Sequence, residues 1–452
     1  MQVHFIAIGG SVMHQLAIAL ARKGYQVTGS DDEIFEPART NLQKQGILPA
    51  KTGWEPEKIH SGLDAVILGM HAKEDNPELT KARELNLRIY SFPEYIYQES
   101  LNKLRVVIGG SHGKTTTTSM IMHVLKGAGK SFDYMVGARL PGFEFSVSIT
   151  NAPVIICEGD EYPASVLDKR PKFHFLFPHI AVLTGIAWDH INVFPSFDFY
   201  LEQFRIFIRM IEPNGLLIYN EHDHVLADLV SREASGEIRV QGYGVAPHKI
   251  SGGQTSIFLE NNWKNLLVFG NHNLMNIQAA WLVCKELGVS AECFLEQIAL
   301  FTGASKRLEL IGSKGETRIY RDFAHAPSKV KATIEAVKEQ YPDHQLIAVL
   351  ELHTYSSLNA GFMKEYKGVM DPADKAVVFY SAHALELKRM PPLDPSHVQS
   401  GFGTKNLVVI NSAYELSLWL RSQNYNKSNL LLMSSGNYDG LDIITFAEEI
   451  IA

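Results

Sequence analysis

The stretch Gly110-Ser111-His112-Gly113-Lys114-Thr115-Thr116 holds several residues suited to binding phosphate. Glycines let a backbone wrap closely around phosphate oxygens, and a helix opening just after them offers free N–H groups and a partial positive charge. Lys114 can reach β- and γ-phosphates, and the Thr115 hydroxyl can serve Mg²⁺. The loop is shorter than the full Walker pattern, and a glycine turn with a solvated lysine would read the same way in isolation. An apolar strand predicted over 104–109 and a helix predicted from Lys114 favour the nucleotide reading.

Other clusters fall where strands end. Cys157-Glu158-Gly159-Asp160-Glu161 closes an apolar run, the place where open α/β sheets gather ligands. A carboxylate there could hold a hard cation, or the stretch could be a solvated acidic turn. Trp188-Asp189-His190 follows the next strand, and a lone histidine is more often structural than a ligand. In Gly270-Asn271-His272-Asn273-Leu274-Met275-Asn276, Asn273 and Asn276 share one helix face; their amides could meet an adenine edge or simply cap the helix. Ser305-Lys306-Arg307 offers a guanidinium fork for phosphate, or a solvated basic pair. Asp322-Phe323-Ala324-His325-Ala326-Pro327 ends a strand and opens a helix.

These residues must be positioned by alternating strands and helices, which predicts an α/β chain with mostly parallel sheets. Strands are predicted at 3–8, 25–29, 65–69 and 87–91, with helices at 12–23 and 77–85; the polar stretch 98–103 reads as a linker. A second series has strands at 104–109, 153–158, 180–184 and 215–219 and helices from 114, near 197–210 and at 271–287. A third has strands at 317–322, 345–351, 376–380, 407–410 and 430–433, with a helix at 327–340. Three domains are therefore expected, at 1–100, 101–312 and 313–452, the outer two Rossmann-like and the central one of P-loop ATPase type.

Taken together, these segments resemble the Mur ligases, the ATP-dependent amide ligases of bacterial cell-wall precursor synthesis, over nearly the whole chain. The loop Ser111-His112-Gly113-Lys114-Thr115-Thr116-Thr117 looks like their nucleotide loop. The resemblance implies ATP and Mg²⁺ (or Mn²⁺) as cofactors, with Thr115, Glu158 and His190 holding metal and Glu161 as a helper. It implies an ATP site of Gly110, Ser111, His112, Gly113, Lys114, Thr115, Thr116, His272, Asn273, Asn276, Arg307, Asp322 and His325. Lys114, Glu158, His190 and Arg307 are the expected catalytic residues.

The Ile8-Gly9-Gly10-Ser11-Val12-Met13 turn fails the G-x-G-x-x-G spacing of a nicotinamide site, since Ser11 and His14 replace the later glycines. It resembles instead the UDP-sugar domain of the branch that accepts UDP-N-acetylmuramate. Gly9, Gly10 and Ser11 would approach the diphosphate, with Ser30 and Asp31 near the uridine. Within that branch, the runs from Cys157 to Tyr162 and from Asp168 to Phe173, together with Met433-Ser434-Ser435-Gly436-Asn437, resemble the peptide-adding ligases. The expected amine substrate is the recycled peptide L-alanyl-γ-D-glutamyl-meso-diaminopimelate; L-alanine is the alternative, and a catalytically inactive nucleotide-gated binding protein is the third reading. The segment Glu351-Leu352-His353-Thr354-Tyr355-Ser356 lacks the arginine of well-known members, and it is expected near the incoming amine. No lysine lies between Lys172 and Lys249, and Arg205 stands where some relatives carry a carbamylated lysine, so no carbamate is expected.

Composition excludes other classes. The 452 residues are 46% hydrophobic and 20% charged, ordinary for a globular protein and unlike a disordered chain. Lys plus Arg is 42 and Asp plus Glu is 49, a net charge of −7 without the basic surplus of a nucleic-acid binder. Three cysteines suit a reducing compartment, and the N-terminus enters a strand with no basic n-region; a cytoplasmic protein is expected, monomeric or weakly self-associating. No apolar run reaches the ~20 residues of a membrane span.

Overall fold

The computed structural model describes residues 1–188, 193–304 and 307–451. The chain forms two compact units: Met1–Gly244 with Asn276–Phe294, and Val245–Met275 with Leu295–Ala452.

The first unit contains two sheets. The smaller is four-stranded and parallel, in the order Gln26–Ser30, Gln2–Ile6, Ala65–Leu68, Ile89–Ser91. Ala65–Leu68 is buried at every position, as expected of a parallel strand covered on both faces. Helix Met13–Arg22 buries everything from Met13 to Leu20. The larger sheet has seven strands, with Leu104–Gly109 at its centre between Ile180–Leu183 and Val154–Glu158. It is parallel except at the Val147–Ser148 edge.

The stretch expected as a linker over 98–103 is more ordered than that. Helix Phe92–Glu99, opened by a Ser91/Glu94 capping box, runs into it. Lys103 then buries its ammonium against Asp133 Oδ2 at 2.7 Å and the carbonyls of Thr150 and Ala152, both at 2.8 Å. Burying a lysine is tolerable only with such a full set of acceptors.

The second unit holds a six-stranded sheet in the order Glu309–Lys314, Thr317–Asp322, Ser428–Met433, Gln345–Leu352, Lys375–Tyr380, Val408–Ile410. Only the Glu309–Lys314 edge is antiparallel. Helix Pro327–Gln340 starts with its proline in the first turn and buries Val330, Ile334 and Val337. A separate three-stranded antiparallel sheet, His248–Ser251, Gln254–Leu259 and Asn262–Asn265, was not expected from the sequence. Its turns use Gly252-Gly253 and Glu260-Asn261, all four with positive φ, as two-residue hairpins require. Gln340 ties this sheet to the helix, accepting from Thr255 Oγ1 and donating to the Gly253 carbonyl, both at 2.6 Å.

Candidate active site

In the first unit, three neighbouring strand ends converge on the phosphate loop. The central strand Leu104–Gly109 runs into Gly110 (φ +123°) and Gly113 (φ +84°), and helix Lys114–Gly127 begins at once. A side chain on Gly110 would strike the Thr184 hydroxyl, and a Cβ on Gly113 would lie 2.6 Å from Asn276 Oδ1. Only glycine therefore gives this backbone shape. The Ser111 hydroxyl donates to the Gly185 carbonyl at 3.1 Å and accepts from Ala187 N–H at 2.8 Å, and Thr184 donates to the His112 carbonyl. The loop is thus held by the residues after strand Ile180–Leu183, a role for Thr184 and Gly185 that sequence reading missed. Thr116 is buried in the first turn of the helix.

Lys114 Nζ donates to the Gly110 carbonyl and to Glu161 Oε2, both at 2.6 Å. Burial acts to lower its pKa, but the charges of Glu161, Asp160 and Glu158 outweigh burial, so the ammonium is held more firmly than usual. Asp160 pairs with Lys172 at 2.6 Å. Thr115 Oγ1 donates to Glu158 Oε1 at 2.6 Å, while Gly137 N–H fixes Glu158 Oε2 at 2.9 Å. A hydroxyl and a buried, oriented carboxylate at the head of a helix are oxygen donors of the kind Mg²⁺ takes, so these residues fit that ion. Among the described residues no group of three His, Cys, Asp or Glu side chains is placed so as to hold a metal ion. His190 lies outside the described residues, as do Ser305 and Lys306.

Asn276 belongs to this unit and sits against the loop, its Oδ1 accepting from Thr117 Oγ1 at 3.2 Å. Its neighbour on the same helix face, Asn273, belongs to the other unit and donates its amide to the Phe269 carbonyl at 2.9 Å. The two side chains therefore have different partners despite their spacing. Arg205 is engaged by Glu233 at 3.0 Å and by Glu202.

Elsewhere in the first unit, Gly9 N–H donates to Asp31 Oδ2 at 2.7 Å, where the strand Gln26–Ser30 ends. A Cβ on Gly9 would come within 2.9 Å of that oxygen, so the glycine is required by close approach. Burial, with the adjacent Asp32 charge, pushes the Asp31 carboxyl up to about 6. Gly10 accepts the Nδ1 proton of His14 through its carbonyl at 2.9 Å, and Ser11 is exposed. Ser30 is buried, and Glu78, likewise buried, contacts His4 Nε2 at 3.2 Å. This buried His4–Glu78 pair was not singled out in the sequence.

In the second unit, Asp322 ends its strand buried, accepting from Ala324 N–H at 2.7 Å and from Leu308 N–H. Burial raises its pKa, with the Arg307 guanidinium opposing the rise. Arg307 lies 4.9 Å from the centre of the Phe323 ring. Burial, reinforced by the Arg307 charge, pushes the His272 imidazole down to about 4, so it is neutral at pH 7. His272, Arg307 and Asp322 are thus brought together. His325 Nδ1 bonds the Phe323 carbonyl at 2.9 Å. At the same edge of the sheet, Glu351 is buried, accepting from Tyr438 N–H at 2.9 Å and from the Ser434 hydroxyl, with His353 Nδ1 3.7 Å away.

Residues 2–102 match the family described as Mur ligase family, catalytic domain. Residues 108–284 match the Mur ligase middle domain, and 306–428 match the Mur ligase, glutamate ligase domain. The UDP-N-acetylmuramate–L-alanine ligase of Aquifex aeolicus is 31% identical over 83% of this chain and 82% of its own length. The UDP-N-acetylmuramate–L-alanyl-γ-D-glutamyl-meso-2,6-diaminoheptandioate ligase of Escherichia coli is 26% identical over 98% of this chain and 96% of its own. The solved UDP-N-acetylmuramate–alanine ligase of Thermotoga maritima shares the fold, with a TM-score of 0.67 at 22% identity over 100% of this chain and 98% of that one. With three family domains matched in order and a relative above 30% identity over most of both chains, the protein belongs to the Mur ligase family, ATP-dependent enzymes that form a C–N bond.

Proposed function

We propose that the enzyme joins UDP-N-acetylmuramate to the recycled cell-wall peptide L-alanyl-γ-D-glutamyl-meso-diaminopimelate. The observation that carries this reading is the end-to-end match to the Escherichia coli peptide ligase, over 98% of this chain and 96% of that one. A second reading, L-alanine as the amine, is favoured by higher identity, 31% against 26%, over a shorter span. The proposed division is 1–100 for the UDP-sugar, 101–312 for ATP and 313–452 for the closing domain, in a cytoplasmic enzyme.

In this reading Gly9, Gly10 and Ser11 take the diphosphate, with Ser30 and Asp31 near the uridine. The lactyl carboxylate takes the γ-phosphoryl group of ATP, giving an acyl phosphate and ADP; the amine then displaces phosphate through a tetrahedral oxyanion. Lys114, in the loop of Gly110, Ser111, His112, Gly113, Thr115 and Thr116, neutralises charge on the transferring group, as does Arg307. Thr115, Glu158 and His190 would hold Mg²⁺, which when bound offsets phosphate charge. Neutral His272, Asn273 and Asn276 serve the nucleotide base side, and Asp322 with His325 contacts ATP from the C-terminal domain. The test is a parallel assay with UDP-N-acetylmuramate and ATP, offering L-alanine and the tripeptide. A kcat/KM for the tripeptide at least tenfold higher is expected; preference for L-alanine overturns the peptide reading.

A further inference from the structure

Each cation around the phosphate loop is matched by its own carboxylate. Lys172 faces Asp160 at 2.6 Å, and Lys114 faces Glu161 at 2.6 Å. Glu161 is 2% exposed and Lys114 14%, so their pair is shielded from water rather than a rim contact. Lys114 is also the residue whose ammonium must reach the β- and γ-phosphates if the loop binds ATP. One ammonium cannot keep a close buried carboxylate and also take the full charge of a triphosphate. Glu158, Asp160 and Glu161 already give the pocket three carboxylates against two lysines.

We infer that Glu161 is a positioning residue that holds Lys114 in place of the β/γ-phosphates in the free enzyme and hands it over when nucleotide binds. This rests on the phosphate-loop reading of residues 110–116. The Glu161 carboxylate keeps the ammonium extended across the Gly110 carbonyl, 2.6 Å away, so the lysine is already aimed along the loop. Nucleotide binding must then break a buried ion pair. Removing one member of such a pair leaves the other charge uncompensated, which destabilises the free state in particular. The hand-over therefore sets a threshold that only ligands carrying at least a β-phosphate cross. AMP, whose single phosphate lies short of Lys114, gains nothing from it.

The experiment is calorimetric titration of the full-length wild type, Glu161→Gln and Lys114→Ala with Mg-ATP, Mg-ADP and AMP. Glu161→Gln keeps the side-chain volume and removes the charge. It is expected to tighten ATP and ADP by about tenfold while leaving AMP within about twofold. A purely structural role would weaken all three nucleotides alike. Unchanged or weaker ADP binding in Glu161→Gln, with the wild type binding normally, overturns the hand-over and leaves the loop reading standing. If Lys114→Ala binds ADP as well as the wild type, the loop reading itself fails, and the inference with it. Should Glu161→Gln not fold, Glu161→Asp serves: the shorter carboxylate loosens the pair, and about a two- to threefold tightening of ATP and ADP, but not of AMP, is expected, its absence counting against the hand-over.

Discussion

Asn276 Oδ1 lies 2.6 Å from where a Cβ on Gly113 would stand, so the Asn276 side chain packs directly against the phosphate loop. Gly113 is also at φ +84°, a conformation that side chains resist. Gly113→Ala is therefore expected to cost about 1–3 kcal/mol of stability and to weaken ADP binding. Thermal melts with and without ADP check both. A variant as stable as the wild type with full ADP affinity would contradict the packing.

Lys114→Ala is expected to reduce ligation by about 10²–10³-fold, the usual cost of losing one preorganised charge-stabilising group. The readout is ADP release dependent on UDP-N-acetylmuramate and amine. Unchanged turnover would remove Lys114 from the chemistry.

The sequence revealed more of this architecture than of its contacts. Apolar runs flanked by glycine or proline located nearly every parallel strand, because such strands are buried on both faces and read as continuous hydrophobic stretches. The antiparallel sheet at 248–265 escaped, since its strands are short and polar-edged; the Gly252-Gly253 pair was the available signal. At the candidate site, motif spacing picked out the loop and Glu158. It missed Thr184, whose role arises from a neighbouring strand some seventy residues away, and it treated Asn273 and Asn276 as one pair though they bond different partners. Pairings across the sheet depend on strand order, which local pattern does not encode.

Asp31 gives a pH dependence with a defined sign. Its folded-state pKa, about 6, lies above the ordinary 3.8, so the folded protein binds the proton more tightly than the unfolded chain. The stability it contributes is full below pH 3.8 and is lost as pH rises through 6. Asp31→Asn is therefore expected to stabilise the protein at pH 7.5, by up to about 3 kcal/mol, and to do little near pH 4. Urea unfolding at the two pH values decides this; equal effects at both would contradict the burial argument.

Glu351 organises the strand end where the segment expected near the incoming amine begins, through Tyr438 N–H, the Ser434 hydroxyl and His353. Glu351→Gln is expected to raise KM for the amine substrate about tenfold, the loss of one charge-assisted contact, with KM for ATP unchanged. Steady-state kinetics with each substrate varied in turn separates these. A rise confined to ATP would place the residue elsewhere in the reaction.

The most direct test of the ligase reaction follows the oxygen atoms. UDP-N-acetylmuramate carrying ¹⁸O in its lactyl carboxylate is incubated with ATP, Mg²⁺ and the tripeptide, and the phosphate and nucleotide products are weighed by mass spectrometry. Activation through an acyl phosphate places one ¹⁸O in the released phosphate and yields the UDP-N-acetylmuramyl tripeptide carrying the other in its new amide carbonyl. Tripeptide product formed with unlabelled phosphate, or ATP consumed with no product, would contradict it.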